Sequence, residues 1–301
     1  MSLPRGSAIL FRESVMKKVL FSIMYLFITC TQVFAESSVW KAEKEGSIFY
    51  LGGTCHLLKP SDFPLPPEFD RAYQASDALI FETDIEKITD PAVQMQLITQ
   101  TTYEDGSTVD QHLSPEIYKK LSDYCDTQGI PLAMFSRFKP SMIMMIILTT
   151  ELSKMGVTQE GVDRFLYKQA KQDQKPVRGL EAIEEQIRFI AKLGEGSENT
   201  LIKQAIEEMD TLKQDYAAIV HAWKTGNTDA LNELMNSKIK TKYPEIYQEL
   251  IVNRNQRWFP AIDACQKTPE TEFILVGAAH LAGPDGIIET LKKAGYNIEK
   301  L

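Results

Sequence analysis

Apolar positions in this chain fall into two kinds of run. Three runs are short and unbroken. Ser47-Ile48-Phe49-Tyr50-Leu51 ends at Gly52-Gly53, Ala78-Leu79-Ile80-Phe81 stops at Glu82-Thr83-Asp84, and Phe273-Ile274-Leu275-Val276 stops at Gly277. Runs rich in β-formers and closed by glycine or acidic residues predict strands. Because no polar residue alternates within the last two, they predict strands covered on both faces, in a parallel or mixed sheet. A weaker fourth candidate, Lys175-Pro176-Val177-Arg178, leads into Gly179-Leu180-Glu181.

Between the second and last of these strands the period changes to that of a helix. Ser114-Pro115-Glu116 carries a hydroxyl cap, a proline at the first helical position and an acid at the positive end of the dipole. The helix this starts continues through Ile117 to Cys125. Further helices are predicted over Ser141 to Lys154, Gly161 to Gln172, Ala182 to Leu193, Leu201 to Ala222 and Pro244 to Ala264. A last one, Gly286 to Ala294, is closed by Gly295. The expected fold class is therefore α/β (mixed): a central parallel or mixed sheet flanked by helices, with a large helical insertion between the second and last core strands.

The N-terminus has a different pattern. Lys17 and Lys18 precede the apolar stretch Val19 to Phe34, and Val33 and Ala35 stand at the −3 and −1 positions of a cleavage site. Basic, apolar, small is the order of a secretory signal. Its unbroken part, Val19 to Ile28, is short of the roughly 20 residues a bilayer span needs. The expectation is a signal peptide over residues 1–35 and a single domain over 36–301, exported to the periplasm or secreted, with no stable membrane anchor after cleavage. A retained anchor is the alternative. Met16, just before the lysines, offers a second start that would make residues 1–15 upstream sequence. Thr29 makes a poor lipobox for Cys30.

The whole chain carries −8 and the leader +3, so the remainder carries −11. That charge argues against nucleic acid or an anionic membrane surface as partner. A peptide or small molecule is the expected substrate class, and the oligomeric state is not set by the sequence. Cys55, Cys125 and Cys265 remain after the leader. An odd, sparse set without a CxxC is no disulfide scaffold, so the core must supply the stability.

Chemistry gathers where strands end. The first strand runs into Gly53-Thr54-Cys55-His56 and the last into Gly277-Ala278-Ala279-His280, both Gly-x-x-His. The second ends in Glu82 and the weaker one in Glu181. If the strands are parallel, all four side chains meet at the carboxyl edge, where α/β proteins bind ligands. Two imidazoles and a carboxylate suit zinc, manganese, cobalt or ferrous iron, with places left for water. A carboxylate not used as a ligand would serve as general base, and either Glu82 or Glu181 fits that part. Each piece alone has a plainer reading: a loop histidine held by a hydrogen bond, or a Glu82 that caps a helix or pairs with an arginine. Two Gly-x-x-His copies at equivalent positions favour the site. His112 and His221 read as surface or packing residues. Met142, Met144 and Met145 read as core filler, and Lys168, Lys171 and Lys175 as a solvated face.

The same residues carry a family likeness. Gly53-Thr54-Cys55-His56-Leu57-Leu58 and Phe81-Glu82-Thr83-Asp84 resemble the opening motifs of the TraB/PrgY/GumN family, which includes the Tiki proteins. Leu113-Ser114-Pro115-Glu116, Lys139-Pro140, Gly161-Val162-Asp163 and Val177 to Gln186 continue the likeness in order. Asn253-Arg254-Asn255 and Val276 to Gly283 complete it. The resemblance implies that His56, His280 and Glu82 are metal-binding and catalytic residues. It also implies metal-dependent hydrolysis, with a peptidase as the model. Arg254 matches a recurrent arginine, read here as steadying developing negative charge or a substrate carboxylate, with an ion pair to a helix carboxylate as the plainer alternative. Two other readings arise from the same residues. One is a non-catalytic binding protein that sequesters a peptide signal or a haem-like ligand. The other is a non-haem iron oxygenase, whose two histidines and one carboxylate match this set.

Overall fold

All four expected strands form, and all four run parallel in the computed structural model, which describes residues 37–301. The leader expected at residues 1–35 lies outside the described residues. β1 (Val39–Lys44) and β2 (Ser47–Thr54) are followed by β3 (Ala78–Thr83), β4 (Val177–Glu181), β5 (Glu272–Gly277) and β6 (Asn297–Lys300). Their order in the sheet is β4-β3-β5-β2-β1-β6. β1 and β6 are the two strands the patterning misses. Val39-Trp40-Lys41-Ala42-Glu43-Lys44 is half charged, and Asn297-Ile298-Glu299-Lys300 has a single apolar residue. Both pair antiparallel, β1 with β2 and β6 with β1. The β1–β2 turn did carry a signal. Glu45 and Gly46 have φ of 53° and 85°, the two left-handed residues of a tight hairpin, where glycine is favoured.

Side chains of the parallel strands alternate between two cores, as a period of two requires. On one face Leu79, Phe81, Phe273 and Leu275 pack with Phe69, Ala72 and Tyr73 of helix Pro67–Gln74, Leu166 of helix Val162–Gln172 and Trp223 of helix Leu212–Lys224. On the other, Ile80, Ile274 and Val276 pack with Trp258 and Ile262 of helix Asn253–Ala264 and with Ile287, Ile288 and Leu291 of helix Ile287–Lys293. A third cluster, including Leu121, Ile143, Ile147 and Ile202, belongs to the helical insertion. Among the described residues no helix is long and apolar enough to cross a membrane.

The helices predicted from the sequence period form, with the differences that follow, and Pro67–Gln74 and Pro91–Gln100 are further helices it did not predict. The run expected over Leu201 to Ala222 breaks at Asp210-Thr211 into Glu198–Met209 and Leu212–Lys224. The stretch Thr228 to Lys242 is helical as well, with a π turn at Asn232–Ser237. Helix Pro244 to Ala264 forms but contains a second π turn, Gln248–Val252, just before Arg254. Such turns shift the angular phase of the residues after them and recur at functional sites. Lys175 is no solvated lysine: its Nζ donates to the carbonyls of Tyr73 and Ser76, at 2.6 and 2.5 Å, and caps that turn.

Candidate metal centre

Parallel pairing brings the four strand ends together at one edge. Thr54 of β2 sits opposite Gly277 of β5, and β5 lies beside β3, whose other neighbour is β4. His56 therefore comes just after β2, Glu82 lies within β3, Glu181 ends β4, and His280 sits one turn after β5 in the short helix Ala278–Leu281.

Gly277 is the pivot of the arrangement. A Cβ placed there would lie 3.1 Å from Oε1 of Glu82, 3.6 Å from Nε2 of His56 and 3.6 Å from Cδ2 of His280. Three side chains from three strand ends thus surround one spot, and glycine leaves it open. The Gly277 N–H also donates to Oε1 of Glu82 at 2.7 Å, aiming the carboxylate at that spot.

Each imidazole is oriented from behind. Nδ1 of His56 donates to Oδ2 of Asp163 at 2.8 Å, because an ionised carboxylate only accepts. In the neutral ring this leaves the Nε2 lone pair on the side of the opening. Asp163 reaches His56 because Gly161 is pressed against the Cys55–His56 backbone. A Cβ on Gly161 would stand 2.2 Å from both C and O of His56. The Val162 N–H then donates to the Cys55 carbonyl at 3.0 Å. Asp163 pulls the His56 pKa upward, partly against burial. The ring's side chain is 61 % exposed, so solvent softens that pull.

His280 is buried, and its tautomer is set by Asn255. The amide nitrogen of Asn255 donates to the carbonyls of His280 and Asp285, at 3.1 and 2.9 Å. Its oxygen therefore faces Nδ1 of His280, 2.8 Å away, and Nδ1 must carry the proton. Burial pushes the His280 pKa down to about 3, so the ring is neutral and its Nε2 is an acceptor. The Trp258 ring packs beside it at 4.6 Å between centroids.

Arg254 fills the interior of the site. Nη1 donates to Nε2 of His280 at 3.0 Å, and Nη2 donates to Oε2 of Glu82. Glu181 grips the guanidinium from behind, with Nη2 at 2.7 Å and Nε at 3.1 Å from its Oε1. Trp258 lies under the guanidinium at 4.5 Å, a cation–π contact. Burial works to raise the Glu82 pKa, but the groups around it outweigh that and hold it at about 2. With His280 neutral, Arg254 is the permanent charge responsible. The arginine's partners are strand-end carboxylates, not the helix carboxylate of the sequence alternative.

Glu181 is engaged at both oxygens. Besides Arg254, it accepts from Nε1 of Trp258 at 2.9 Å and from Nε2 of Gln186 at 3.0 Å. Sequence reasoning did not single out Asp163 or Asn255. Both stand inside recognisable motifs, Gly161-Val162-Asp163 and Asn253-Arg254-Asn255, but their pairing with histidines is a tertiary fact. The remaining candidates fall away from the site. His112 stacks on Tyr103 at 3.8 Å, and His221 is exposed. Cys55, Cys125 and Cys265 are free thiols, and burial raises the pKa of each.

Among the described residues, no three His, Cys, Asp or Glu side chains are gathered closely enough to form a metal shell. Arg254 holds the Nε2 electron pair of His280 and Oε2 of Glu82, and Nε2 of His280 is 3.9 Å from Oε1 of Glu82. In its chemistry the donor set nevertheless fits a divalent transition ion. His56 turns Nε2 toward the opening, His280 gives its Nε2 to Arg254 beside it, and each has Nδ1 anchored on Asp163 or Asn255, the outer support that metal-ligating histidines need. The spot between the donors is bare of side chain because residue 277 is glycine.

Comparison with known proteins identifies a family. The model of the TraB/PrgY/gumN family matches residues 38–300. An uncharacterized protein, YbaP of Escherichia coli, is 25 % identical over 245 residues, which is 81 % of this chain and 88 % of that one. Metalloprotease TIKI1 of Xenopus tropicalis is 22 % identical over 316 residues, and metalloprotease TIKI2 of Danio rerio is 23 % identical over 304. Those matches take in 87 % and 83 % of this chain but only 61 % and 58 % of the metalloproteases. No solved structure matches the chain.

Proposed function

Because this chain belongs to the TraB/PrgY/gumN family, and because both of its Gly-x-x-His histidines meet Glu82, we propose that it is an exported metal-dependent hydrolase acting on peptides. One observation carries the reading: His56, His280 and Glu82 converge on the open side of Gly277. The relatives named as metalloproteases support it at a distance. The leader pattern at residues 1–35 supports export.

In this reading His56, through Nε2, His280, through Nε2, and Glu82 hold the ion. Zinc, manganese or cobalt supplies Lewis-acid polarisation of a carbonyl and a nucleophile at neutral pH. The chain's own residues do the rest. Asp163 and Asn255 fix the ring orientations, and Gly277 keeps the space clear. Arg254 brings a full positive charge up against the donors, placed to meet negative charge that develops on a substrate oxygen. Glu181 seats that arginine, which leaves Glu82 as the carboxylate exposed to the opening. The exposed face of His56 provides the way in.

The test is metal content of the chain purified without a metal-binding tag, beside His56→Ala and His280→Ala. About one equivalent of a transition ion in the native protein, lost in both variants, is the expected result. His56→Ala will cost about 1 kcal/mol: its ring is mostly exposed, but the buried Asp163 carboxylate loses its partner. His280→Ala will cost about 2–3 kcal/mol, because a buried ring and its bond to Asn255 are lost. No metal in the native protein, even after adding zinc, manganese or cobalt, sinks the proposal.

A smaller substitution probes the open spot directly. Gly277→Ala keeps the backbone geometry, with φ −49° and ψ 135° available to any residue. It also keeps the N–H that Glu82 uses. Its methyl would stand among the three donors. The expected outcome is a stability change within about 1 kcal/mol, measured by urea unfolding, together with loss of bound metal. Full metal retention would show that the donors do not meet there.

A further inference from the structure

Two of the three donors already hold a cation, and it is the protein's own. A guanidinium has hydrogen-bond donors and no lone pair. Where Arg254 meets Nε2 of His280 and Oε2 of Glu82, both atoms act as acceptors. The Nε2 pair of His280 is the one a metal ion would take, whereas Glu82 keeps its Oε1 on the open side of Gly277. We propose that Arg254 is an internal stand-in for the metal: it satisfies His280 and Glu82 in the metal-free chain, and an incoming ion must displace it from the Nε2 of His280.

This rests on His56, His280 and Glu82 being the donors. The arrangement around Arg254 suits such an exchange. Its Nε and Nη2 stay bound to Glu181, at 3.1 and 2.7 Å, when the Nη1 contact to His280 is given up. The Trp258 face holds the plane of the guanidinium at the same time. The charge is then retained next to the site rather than lost from it. Without the arginine, a metal-free site would bury two ionised carboxylates, Glu82 and Glu181, with no cation between them, an expensive state. With it, the donors are satisfied and held in place before any ion arrives. The cost of this arrangement falls on affinity, because binding must break the hydrogen bond to His280 and place like charges side by side.

The experiment is zinc binding to the full chain by equilibrium dialysis against a competing chelator, for the native protein, Arg254→Gln and Arg254→Lys. Thermal unfolding is followed with and without zinc. Arg254→Gln should bind zinc at least tenfold more tightly than the native chain. Its zinc-free form should melt lower, and zinc should raise its melting temperature further than it raises the native one. Arg254→Lys, which keeps the charge but makes fewer contacts, should fall between the two, and it carries the test if the glutamine variant does not fold. Zinc that binds the variants no more tightly than the native chain overturns the stand-in role while leaving the metal site intact. Absence of zinc from all three proteins overturns the donor assignment as well.

Discussion

Replacing Glu181 with leucine will destabilise the protein by about 3–5 kcal/mol, the usual cost of removing one partner from a buried ionic group. Glu181 is 4 % exposed at its side chain and Arg254 10 %. The substitution removes three acceptor contacts from the guanidinium and strands the indole N–H of Trp258. Glu82 would be the only carboxylate left to the arginine. Urea unfolding gives the free energy, and peptide hydrolysis measured on the folded fraction gives the activity. The two roles the sequence allows for Glu181 separate here. As the seat of Arg254, it should show a large stability loss in the leucine variant and a smaller one in Glu181→Gln, which can still accept one hydrogen bond. As a general base, it would show the reverse: Glu181→Gln with native stability and no turnover.

Gly161→Ala is expected to be nearly as damaging, at about 3 kcal/mol, the upper end for forced overpacking. The backbone is not the obstacle, since φ of −116° and ψ of −174° suit any residue. The obstacle is the backbone of Cys55 and His56. A methyl at position 161 would lie 2.2 Å from carbon and oxygen of His56 and 2.4 Å from the Cys55 carbonyl oxygen. Those atoms cannot rotate away as a side-chain tip could. Separating the segments breaks the hydrogen bond from Val162 to Cys55 and draws Asp163 off His56. Metal content should fall along with stability. Asp163→Asn is the partner experiment: it removes the carboxylate without steric push, so it should weaken metal binding while unfolding near the native midpoint. Native stability in Gly161→Ala would mean that the two segments do not touch as described.

How much of this was legible in the sequence depends on range. Unbroken apolar runs located β2, β3 and β5 because a strand buried on both faces has no polar side. Lys175-Pro176-Val177-Arg178 was a weaker sign of β4, since this edge strand exposes Arg178 and Gly179. β1 escaped because its buried Val39, Trp40 and Ala42 are interleaved with Lys41, Glu43 and Lys44, and β6 because Ile298 is its single apolar residue. Glycine followed by histidine at each strand end was local, so His56 and His280 could be found. Asp163 and Asn255 belong to visible motifs, yet nothing near them in sequence says that one holds His56 and the other His280. The grip of Glu181 on Arg254 was hidden for the same reason. A carboxylate after a strand looks alike whether it faces a substrate or an arginine until the third dimension is known.

The pairing of β2 with β5 sets an order of events for the nascent chain. Thr54 and Gly277 are neighbours in the sheet, yet nearly the whole domain is synthesised between them. Closing so long a loop is a slow step, because its entropic cost precedes the reward of contact. His56 leaves the ribosome early and waits without its second histidine until the C-terminal segment emerges. A chain cut short before Glu272 lacks β5, Gly277 and His280 together, so no half-made product carries the assembled site. A degradative activity would in this way be withheld from every incomplete copy by topology alone, with no separate inhibitory segment required.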